Sequence, residues 1–442
     1  MRLSQAAAQA LNRLEQAGFP AYVVGGAVRD HLRGVQPHDF DLCTAATPDE
    51  VRAVFSGERV AETGLKHGTV TVLLAGEPLE ITTFRVEGAY SDGRRPDTVR
   101  FVRDLESDLA RRDFTVNAMA YSPVRGLQDP FGGQQDLANG LLRAVGDPVH
   151  RFQEDALRIL RGLRIMAETG FAIEPDTARA LRAGAGRLEK VAPERLAAET
   201  LRLLCGRYAG RVLRAYTAVI GVVLPEILPM QGFQQRNRYH VYDVLEHSIR
   251  ALEQIPAEPA LRLAALYHDT GKPHCMTVDD KGVGHFYGHP KLSAALAEQR
   301  CLALRLPSAI RETVVFVADH HDIPIPQEEG VIRRRLAKFG ETRVRQLLMM
   351  KKADGVGRGT HPEYIGHYQQ LEAALNRTLR KKDCLSVRSL ALDGYALMGL
   401  GLRGRQIGEM QRYLLEQVLD DPARNTPEIL TALARRHREE AT

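Results

Sequence analysis

Alternating apolar and polar positions dominate the first third of the chain. Alternation with a period of two predicts β-strands, because successive side chains of a strand point to opposite faces. The strands predicted in this way are 21–24, 39–42, 69–74, 79–84, 99–102 and 116–121. A few helical patterns lie between them, the first within residues 1–16. This mixture predicts an α+β fold for residues 1 to about 143.

Helical spacing replaces the alternation from Asp147 onward, where we expect no further strands. The predicted helices are 151–168, 176–183, 193–204, 364–379 and 406–419. The pattern is interrupted at the proline-bounded segment 225–229 and again near Arg358 and Gly359. These interruptions predict a head and three helical domains. Their expected bounds are 1–143, 144–224, 225–358 and 359–442.

A glycine pair follows the first predicted strand and precedes a predicted helix at 27–33. Gly25 and Gly26 permit positive φ and a close approach of the backbone to a ligand. A helix N-terminus directs free N–H groups at phosphate, and Arg29 adds a charged donor. The segment therefore predicts a phosphate site.

Two aspartates lie on the next predicted strand, with one residue between them. Asp39 and Asp41 therefore share one face of that strand. Like charges held so close favour divalent cations, and phosphoryl transfer by two metal ions uses such carboxylates. Glu80, on a later predicted strand, is a candidate third metal carboxylate. The alternative is a glycine turn followed by a solvated acidic strand without chemistry.

Six short segments occur in the order seen in the class II tRNA nucleotidyltransferase and bacterial poly(A) polymerase family, which this chain resembles. The segments are 25–30, 39–41, 82–85, 90–96, 111–118 and 154–161. The resemblance implies a small mixed α/β head of the polymerase-β type, followed by an all-helical neck, body and tail. It also implies nucleotidyl transfer with Mg²⁺ at Asp39 and Asp41, and Glu80 as a third catalytic residue. The nucleotide-binding residues that it implies are Gly25, Gly26, Arg29, Arg111, Arg112, Asp113, Asn117, Glu154, Asp155, Arg158, Arg161 and Arg164.

Two of these motifs also have a direct chemical interpretation. The run Arg111, Arg112 and Asp113 offers two guanidinium forks and a carboxylate, which suit a triphosphate and a ribose hydroxyl. The i,i+3 spacing of Asp155 and Arg158 places an acceptor and a donor on one helix face. Cytosine and adenine both present the matching donor–acceptor edge, whereas uracil and guanine present the reverse. The pair is thus predicted to select C and A, as the family does without a nucleic-acid template.

The same helix continues with Arg161 and Arg164, which are predicted to reach the phosphates. The alternative is a solvated basic stripe on an ordinary amphipathic helix. Residues 87–96 form a polar, glycine-containing loop. In the family, enzymes that add only the two cytidines lack a basic loop here, so the resemblance favours complete CCA addition or terminal A addition. A poly(A) polymerase is less favoured, because segment 117–120 resembles the tRNA branch.

Composition bounds the partners and the compartment. Sixty Lys and Arg against 55 Asp and Glu give a net charge of only +5, so binding of a tRNA 3′ end requires local basic patches. Candidates are the runs 377–382 and 403–405, which are otherwise solvated faces. Five scattered cysteines without a CxxC pair fit a reducing cytosol. With ATP and CTP as substrates and no membrane-spanning stretch, the expectation is a cytoplasmic protein.

Histidines concentrate in the second half of the chain. Residues 240–321 contain eight of the fifteen: His240, His247, His268, His274, His285, His289, His320 and His321. Histidine is a common metal ligand, and with Asp partners it favours Mn, Fe, Ni, Mg or Zn. The doublet His268-Asp269 ends an apolar helix, where both side chains can bind one ion. We expect His240, His274 and His285 to be surface or loop histidines.

This second constellation resembles the HD phosphohydrolase family. The resemblance implies a divalent transition metal such as Mn, Ni, Fe or Zn, with hydrolysis of cyclic phosphodiesters, 2′-nucleotides or phosphate esters. The implied ligands are His247, His268, Asp269, His289, His320, His321 and a late aspartate. Asp354 fits that last position better than Asp319 or Asp322, which flank the histidine pair. Two alternatives stand: a metal site that only stabilises helices, and a hydrolase attached to a vestigial nucleotide-binding head.

Overall fold

The computed structural model describes residues 1–37, 39–88, 98–360 and 364–440. The predicted basic loop at 90–96 therefore lies outside the described residues. The fold is α+β, and the chain divides into two compact units, Met1–Pro225 and Glu226–Thr442. No helix in the described ranges is both long enough and apolar enough to cross a bilayer.

The first unit contains most of the strands. Its strands are β1 Ala21–Val24, β2 Asp41–Thr44, β3 Arg59–Gly64, β4 Thr69–Leu74, β5 Glu77–Thr83, β6 Arg85–Glu87, β7 Val99–Phe101, β8 Ala120–Ser122, β9 Gly126–Gln128, β10 Leu141–Leu142 and β11 Ala172–Ile173. Its helices are α1 Gln5–Gln16, α2 Gly26–Leu32, α3 Pro48–Val54, α4 Leu105–Ala110, α5 Gly133–Ala138, α6 Pro148–Glu154, α7 Leu157–Thr169, α8 Pro175–Gly184, α9 Pro193–Cys205, α10 Ala209–Ala215 and α11 Thr217–Ile220.

Seven strands form one mixed sheet in the order β3-β4-β5-β2-β1-β8-β9. Only the β2–β5 pair is parallel. Both faces of the sheet are covered, because two separate apolar clusters use alternate residues of the same strands. Val23 and Leu42 belong to the cluster that includes α1, whereas Val24 and Cys43 belong to the cluster on the other face. This alternation is the sequence pattern that predicted the strands.

Three strand predictions require correction. Segment 116–121 is not one strand, because Thr115–Asn117 forms a 3₁₀ turn and β8 begins only at Ala120. The strand predicted at 39–42 begins at Asp41, so Asp39 precedes it. Strands also continue beyond Asp147, although each is only two residues long and too short to leave a periodic signal.

The second unit is helical apart from one two-stranded hairpin. Its helices are α12 Val244–Gln254, α13 Pro259–Tyr267, α14 Lys272–Cys275, α15 His289–Ala303, α16 Ser308–His320, α17 Glu329–Gly357, α18 Tyr364–Lys381, α19 Gly394–Gly399, α20 Arg405–Asp420 and α21 Pro427–Glu440. The hairpin strands are β12 Thr277–Val278 and β13 Gly284–His285. Gly340 interrupts α17 with a φ of 77° and a ψ of 163°. The predicted helices at 364–379 and 406–419 correspond to α18 and α20.

Candidate functional site

The glycine turn and the aspartates meet at one edge of the sheet. β1 and β2 are antiparallel, and Val24 at the end of β1 lies opposite Asp41 at the start of β2. Gly25 follows with a φ of 72°, a conformation that favours glycine. A side chain at Gly25 would also have its Cβ 3.4 Å from Nη1 of Arg112. The turn, the carboxylate and a guanidinium are therefore neighbours.

Asp39 and Asp41 are both exposed, on either side of the buried Phe40. Partial desolvation raises the pKa of Asp41. Arg112 lowers that pKa and the Asp39 carboxylate raises it again, so the two aspartates sense each other's charge. A cation between them would relieve this repulsion.

Glu80 lies on the strand beside Asp41. Ile81 pairs with Leu42 in the parallel β2–β5 ladder, and Glu80 and Asp41 immediately precede these residues. Within the described ranges, however, no group of three or more ligand atoms within 4.8 Å of one another includes Glu80, Asp39 or Asp41. The third carboxylate therefore remains a prediction.

Arg29, on α2, is held by partners within the protein. Its side chain is buried, and its guanidinium donates to Asn117 Oδ1 at 2.9 Å and to both carboxylate oxygens of Asp30 at 3.0 Å. Arg29 thus links α2 to the 3₁₀ turn before β8. Asn117 is 88 residues away in the sequence, so no local sequence pattern indicated this partner. The contact of Arg29 with phosphate stays a prediction.

The two arginines of the Arg111–Asp113 run differ in how fully they are hydrogen-bonded within the protein. Arg111 donates to Asp108 at 2.8 Å and to Glu87 at 3.1 Å. Arg112 contacts Asp108 at a longer 3.5 Å, and its Nε has no hydrogen-bond partner among the described residues. Arg111 is therefore committed to the protein, whereas Arg112 keeps donor capacity beside Asp41.

Asp113 is buried, and three polar groups of the protein surround its carboxylate. Its Oδ1 accepts from Phe114 N at 2.9 Å and from Asn117 Nδ2 at 3.2 Å, and Arg161 Nη2 lies 3.0 Å from its Oδ2. Burial alone would raise the pKa of Asp113, but the Arg161 charge and the Asn117 bond hold it below the usual value. Arg161 is thus brought to the site by α7, as a partner of Asp113.

Asp155 and Arg158 do not share a helix face, contrary to prediction. α6 ends at Glu154 and α7 begins at Leu157, because Asp155 has an extended backbone with φ −141° and ψ 105°. Its Oδ1 accepts the Leu157 N–H at 3.1 Å, and Arg195 contacts its Oδ2 at 2.7 Å. Aspartate at a helix start is a common capping signal, which the continuous helical spacing concealed.

Arg158 is instead held beside the Arg111–Asp113 run. Its guanidinium donates to the carbonyl of Arg111 at 3.1 Å and to the carboxylate of Glu154. Arg164 is buried and bound by Glu199 at 2.5 Å and Glu168 at 2.8 Å. These ion pairs link α7 to α9, and contact of Arg164 with a phosphate stays a prediction.

A second site lies in the other unit. His247 on α12, His268 and Asp269 after α13, and Asp354 on α17 are all buried, and their ligand atoms lie within 4.8 Å of one another. His247 Nε2 is 3.0 Å from Asp354 Oδ1 and 3.3 Å from Asp269 Oδ2. Four side chains from three helical segments thus converge on one point.

Asp269 also belongs to a second group, with His289 and His321. Its Oδ1 lies 3.2 Å from His289 Nε2 and 3.6 Å from His321 Nε2. The two oxygens of one carboxylate therefore face two sets of ligand atoms.

Backbone carbonyls orient three of the four histidine rings in these groups, whereas Nδ1 of His247 has no hydrogen-bond partner among the described residues. His268 Nδ1 donates to Ala265 O at 2.8 Å, and the Nδ1 atoms of His289 and His321 make equivalent bonds to the carbonyls of residues 286 and 318. The proton is thereby placed on Nδ1, which leaves the Nε2 lone pairs directed at the shared space. Metal-bound histidines use this arrangement.

The buried histidines and carboxylates of this site shift each other's pKa values. Burial alone would raise the pKa of Asp269, but His268 and Lys272 hold it well below the usual value. Burial alone would lower the pKa of His268, whereas Asp269 and Asp354 raise it to about 10. The set of histidine nitrogens and carboxylate oxygens suits a divalent cation.

The structure separates the remaining candidates. Among the three aspartates left open by the sequence, Asp354 joins the ligand group, and Asp319 and Asp322 do not. His320 is not brought to the site, since its Nδ1 bonds Phe316 O at 3.0 Å and its ring stacks on Phe316 at 4.6 Å. Adjacent residues on a helix differ by about 100° in direction, so His320 and His321 point in clearly different directions.

A cavity of about 290 Å³ adjoins these ligands. Two of the histidines expected to be surface or loop residues, His240 and His285, line it, together with Lys272 and Arg358. Lys272 Nζ contacts Asp269 at 2.6 Å, and Arg358 contacts Asp354 at 2.6 Å. Their positions depend on tertiary packing, and the sequence carried no signal for His240 or Arg358.

Three family models match the chain. Residues 21–143 match the poly A polymerase head domain, 170–227 match the probable RNA and SrmB-binding site of polymerase A, and 238–357 match the HD domain. The chain therefore combines a region similar to the poly A polymerase head domain with a region similar to the HD domain.

The chain is similar to several CCA-adding enzymes. The chain is 51% identical over 203 residues to a CCA-adding enzyme of Leuconostoc citreum, and 48% identical over 197 residues to one of Ligilactobacillus salivarius. These matches cover 46% and 45% of the chain, which spans about half the length of these curated relatives. A crystal structure of the Bacillus stearothermophilus CCA-adding enzyme in complex with CTP superposes with a TM-score of 0.71 at 28% identity, over 99% of this chain and 98% of that one.

Proposed function

We propose that the chain adds nucleotides to the 3′ end of tRNA, completing CCA or its terminal A from CTP and ATP. The observation that carries this proposal is the pairing of Val24 with Asp41, which places the glycine turn beside the carboxylates. Arg112 supplies donor capacity for a triphosphate at the same place. The names of the relatives agree with this reaction.

Asp39 and Asp41 suit Mg²⁺. This ion usually takes one or two protein carboxylates and completes its coordination with waters and substrate phosphates, so an open, exposed pair is sufficient. When bound, such ions activate the attacking hydroxyl and stabilise the leaving pyrophosphate. The oxygen of the tRNA 3′ hydroxyl bonds to the α-phosphorus of the incoming nucleotide and gives up its proton to solvent. The bond from the α-phosphorus to the bridging oxygen breaks, and pyrophosphate leaves.

Base selection is proposed for Asp155 and Arg158. In the free protein both side chains are engaged, Asp155 with Arg195 and Arg158 with Glu154. Binding of C or A would replace these contacts by contacts with the base edge. The bond from Arg158 to the Arg111 carbonyl would keep Arg158 beside Arg111 and Arg112, the residues proposed for the triphosphate. Asp113, ionised and close to them, is suited to accept a ribose hydroxyl.

The domains proposed for this activity are a head at 1–143 and a neck at 144–224, followed by the HD body at 225–358 and a tail at 359–442. The basic runs 377–382 and 403–405 are candidate contacts for tRNA phosphates. They serve equally well as solvated faces.

The experiment uses three tRNA transcripts that end at the discriminator base, at C and at CC, each incubated with one labelled nucleotide. A CCA-adding enzyme labels the first two with CTP and the third with ATP. An enzyme that adds only the terminal A labels only the third. Long A tails on every transcript, or no labelling at all, would refute the proposal.

We propose a second activity, hydrolysis of phosphate esters by the HD body. It rests on the two groups of converging ligand atoms that share Asp269. A divalent Mn, Ni, Fe or Zn ion held by these ligands would make a bound water nucleophilic. Water oxygen then bonds to phosphorus, one ester P–O bond breaks, and a proton passes to the leaving oxygen. Release of product from a 2′,3′-cyclic phosphate, with each metal in turn, tests this activity.

A further inference from the structure

A small hairpin forms one side of the cavity beside the HD ligands. The lining includes His285, Phe286 and Tyr287, which follow directly along the chain, together with Asp269 and His289. β12 and β13 hold this segment through the pairs Thr277–His285 and Val278–Gly284. None of the three hairpin residues belongs to either group of ligand atoms.

Two rings of this hairpin stack at the cavity. The His285 and Tyr287 ring centroids are 5.6 Å apart, and their planes differ by 4°. Tyr287 is 77% exposed, so its ring does not fill the core and retains an open aromatic surface. Exposed, rigid aromatic surfaces next to a polar cavity are suited to stacking on a planar ligand.

The stacked pair is held in place. His285 Nε2–H donates to Asp279 Oδ2 at 2.9 Å. The other oxygen of Asp279 accepts the N–H groups of Lys281 and Val283, both at 2.9 Å, so the hairpin turn fixes this carboxylate. A stacking surface that is ordered before binding loses less entropy when a ligand arrives.

The pair is also tied to the ligand group. Phe286 lies between His285 and Tyr287 in the sequence, and its carbonyl accepts the Nδ1–H of His289 at 2.8 Å. Only Gly288 lies between Tyr287 and His289, which limits the distance between their Cα atoms to ~7 Å. A phosphate at the HD ligands and a planar group on Tyr287 can therefore belong to one small molecule.

We propose that His285 and Tyr287 form a nucleobase-stacking platform, which binds the base of a nucleoside phosphate ester whose phosphate lies at the HD ligands. This inference rests on the proposed hydrolase activity of the same site. A sugar phosphate or a phosphopeptide would leave the platform without a ligand. Because every base has a π-face, the platform favours a base over none but distinguishes little between bases.

The test compares matched substrates on the metal-loaded full chain. The substrates are adenosine 2′,3′-cyclic phosphate, cytidine 2′,3′-cyclic phosphate and the base-free methyl riboside 2,3-cyclic phosphate. The variants are Tyr287→Ala, Tyr287→Phe, which keeps a ring, and Tyr395→Ala, a control at an equally exposed tyrosine. Base stacking on an aromatic side chain predicts a loss of kcat/KM of roughly 5- to 100-fold for both nucleotides in Tyr287→Ala. The base-free substrate should change less than about twofold, and the other two variants should behave as wild type.

Two results would overturn the platform: equal losses on all three substrates, or no loss on any. Absence of hydrolysis by the wild type would refute the proposed activity instead. The platform is then decided by equilibrium binding of adenosine 2′-monophosphate to the metal-loaded protein. Weaker binding by Tyr287→Ala than by Tyr287→Phe supports it, and equal binding overturns it.

Discussion

The two candidate sites hold their carboxylates in opposite ways. In the head, Asp39 and Asp41 are exposed, and the described residues around them complete no group of three ligands. In the HD body, Asp269 and Asp354 are buried among histidines whose rings are oriented by backbone bonds. The first site needs its substrate to complete it, whereas the second is complete in the free chain.

This difference has a chemical reason. A polymerase site must admit a triphosphate and an RNA end, so an open carboxylate pair leaves coordination positions for phosphate oxygens. A hydrolytic metal site must hold its ion between turnovers, which favours preformed ligands with a satisfied outer shell. The exposed aspartates of the head and the buried, histidine-paired aspartates of the HD body therefore suit the two proposed chemistries.

The largest effect is expected at the head. Asp41→Ala should reduce nucleotide addition by about a hundredfold or more, on the order of 3–4 kcal/mol of transition-state stabilisation, because the pair loses half its charge. Incorporation of labelled nucleotide into tRNA measures it, with a thermal melt to verify folding. Glu77→Ala, at a half-buried glutamate that begins β5, is the matched control. Near-normal addition by Asp41→Ala would remove this residue from the site.

Loss of the shared HD ligand should be almost as severe. Asp269→Asn should abolish hydrolysis and reduce the bound metal, because this carboxylate contacts both groups of ligands. Metal content by elemental analysis and hydrolysis of a cyclic phosphate are the measurements. Asp322→Asn, which lines the same cavity without joining a ligand group, should retain both. Full metal content in Asp269→Asn would contradict the shared-ligand geometry.

A moderate effect is expected at the base reader. Asp155→Asn should weaken discrimination among the four triphosphates by roughly tenfold, the value of a single lost hydrogen bond to a charged group. Competition assays with all four nucleotides report it. Asp176→Asn, an exposed aspartate on α8, serves as the comparison. Unchanged preference for C and A would place base selection elsewhere.

The smallest effect separates two neighbouring histidines. His320→Ala should leave hydrolysis within about twofold of wild type, because its ring faces Phe316 rather than the ligands. His321→Ala should lose most of it, since His321 belongs to a ligand group. Equal losses in the two variants would contradict the orientation of the end of α16.

Periodicity and local motifs carried much of the architecture. The strand that includes Val23 was predictable because its residues are apolar on both faces, and the strand that includes Ile81 because buried Leu79 and Ile81 alternate with exposed Glu80. The break at Asp155 was not predicted, because helical spacing continues across it and its partner Arg195 is 40 residues away in the sequence. The sequence also located the HD histidines, yet only packing decides between His320 and His321, or brings Asp354 to Asp269.

The central claim is that two separate sites perform two reactions and that only the head adds nucleotides. The most direct test assays labelled nucleotide incorporation into a tRNA ending in CC by two double variants. Asp39→Ala with Asp41→Ala should abolish incorporation while metal-dependent hydrolysis persists. His268→Ala with Asp269→Ala should retain incorporation and lose hydrolysis. Loss of incorporation in a folded His268→Ala, Asp269→Ala protein, or its survival without Asp39 and Asp41, would contradict the claim.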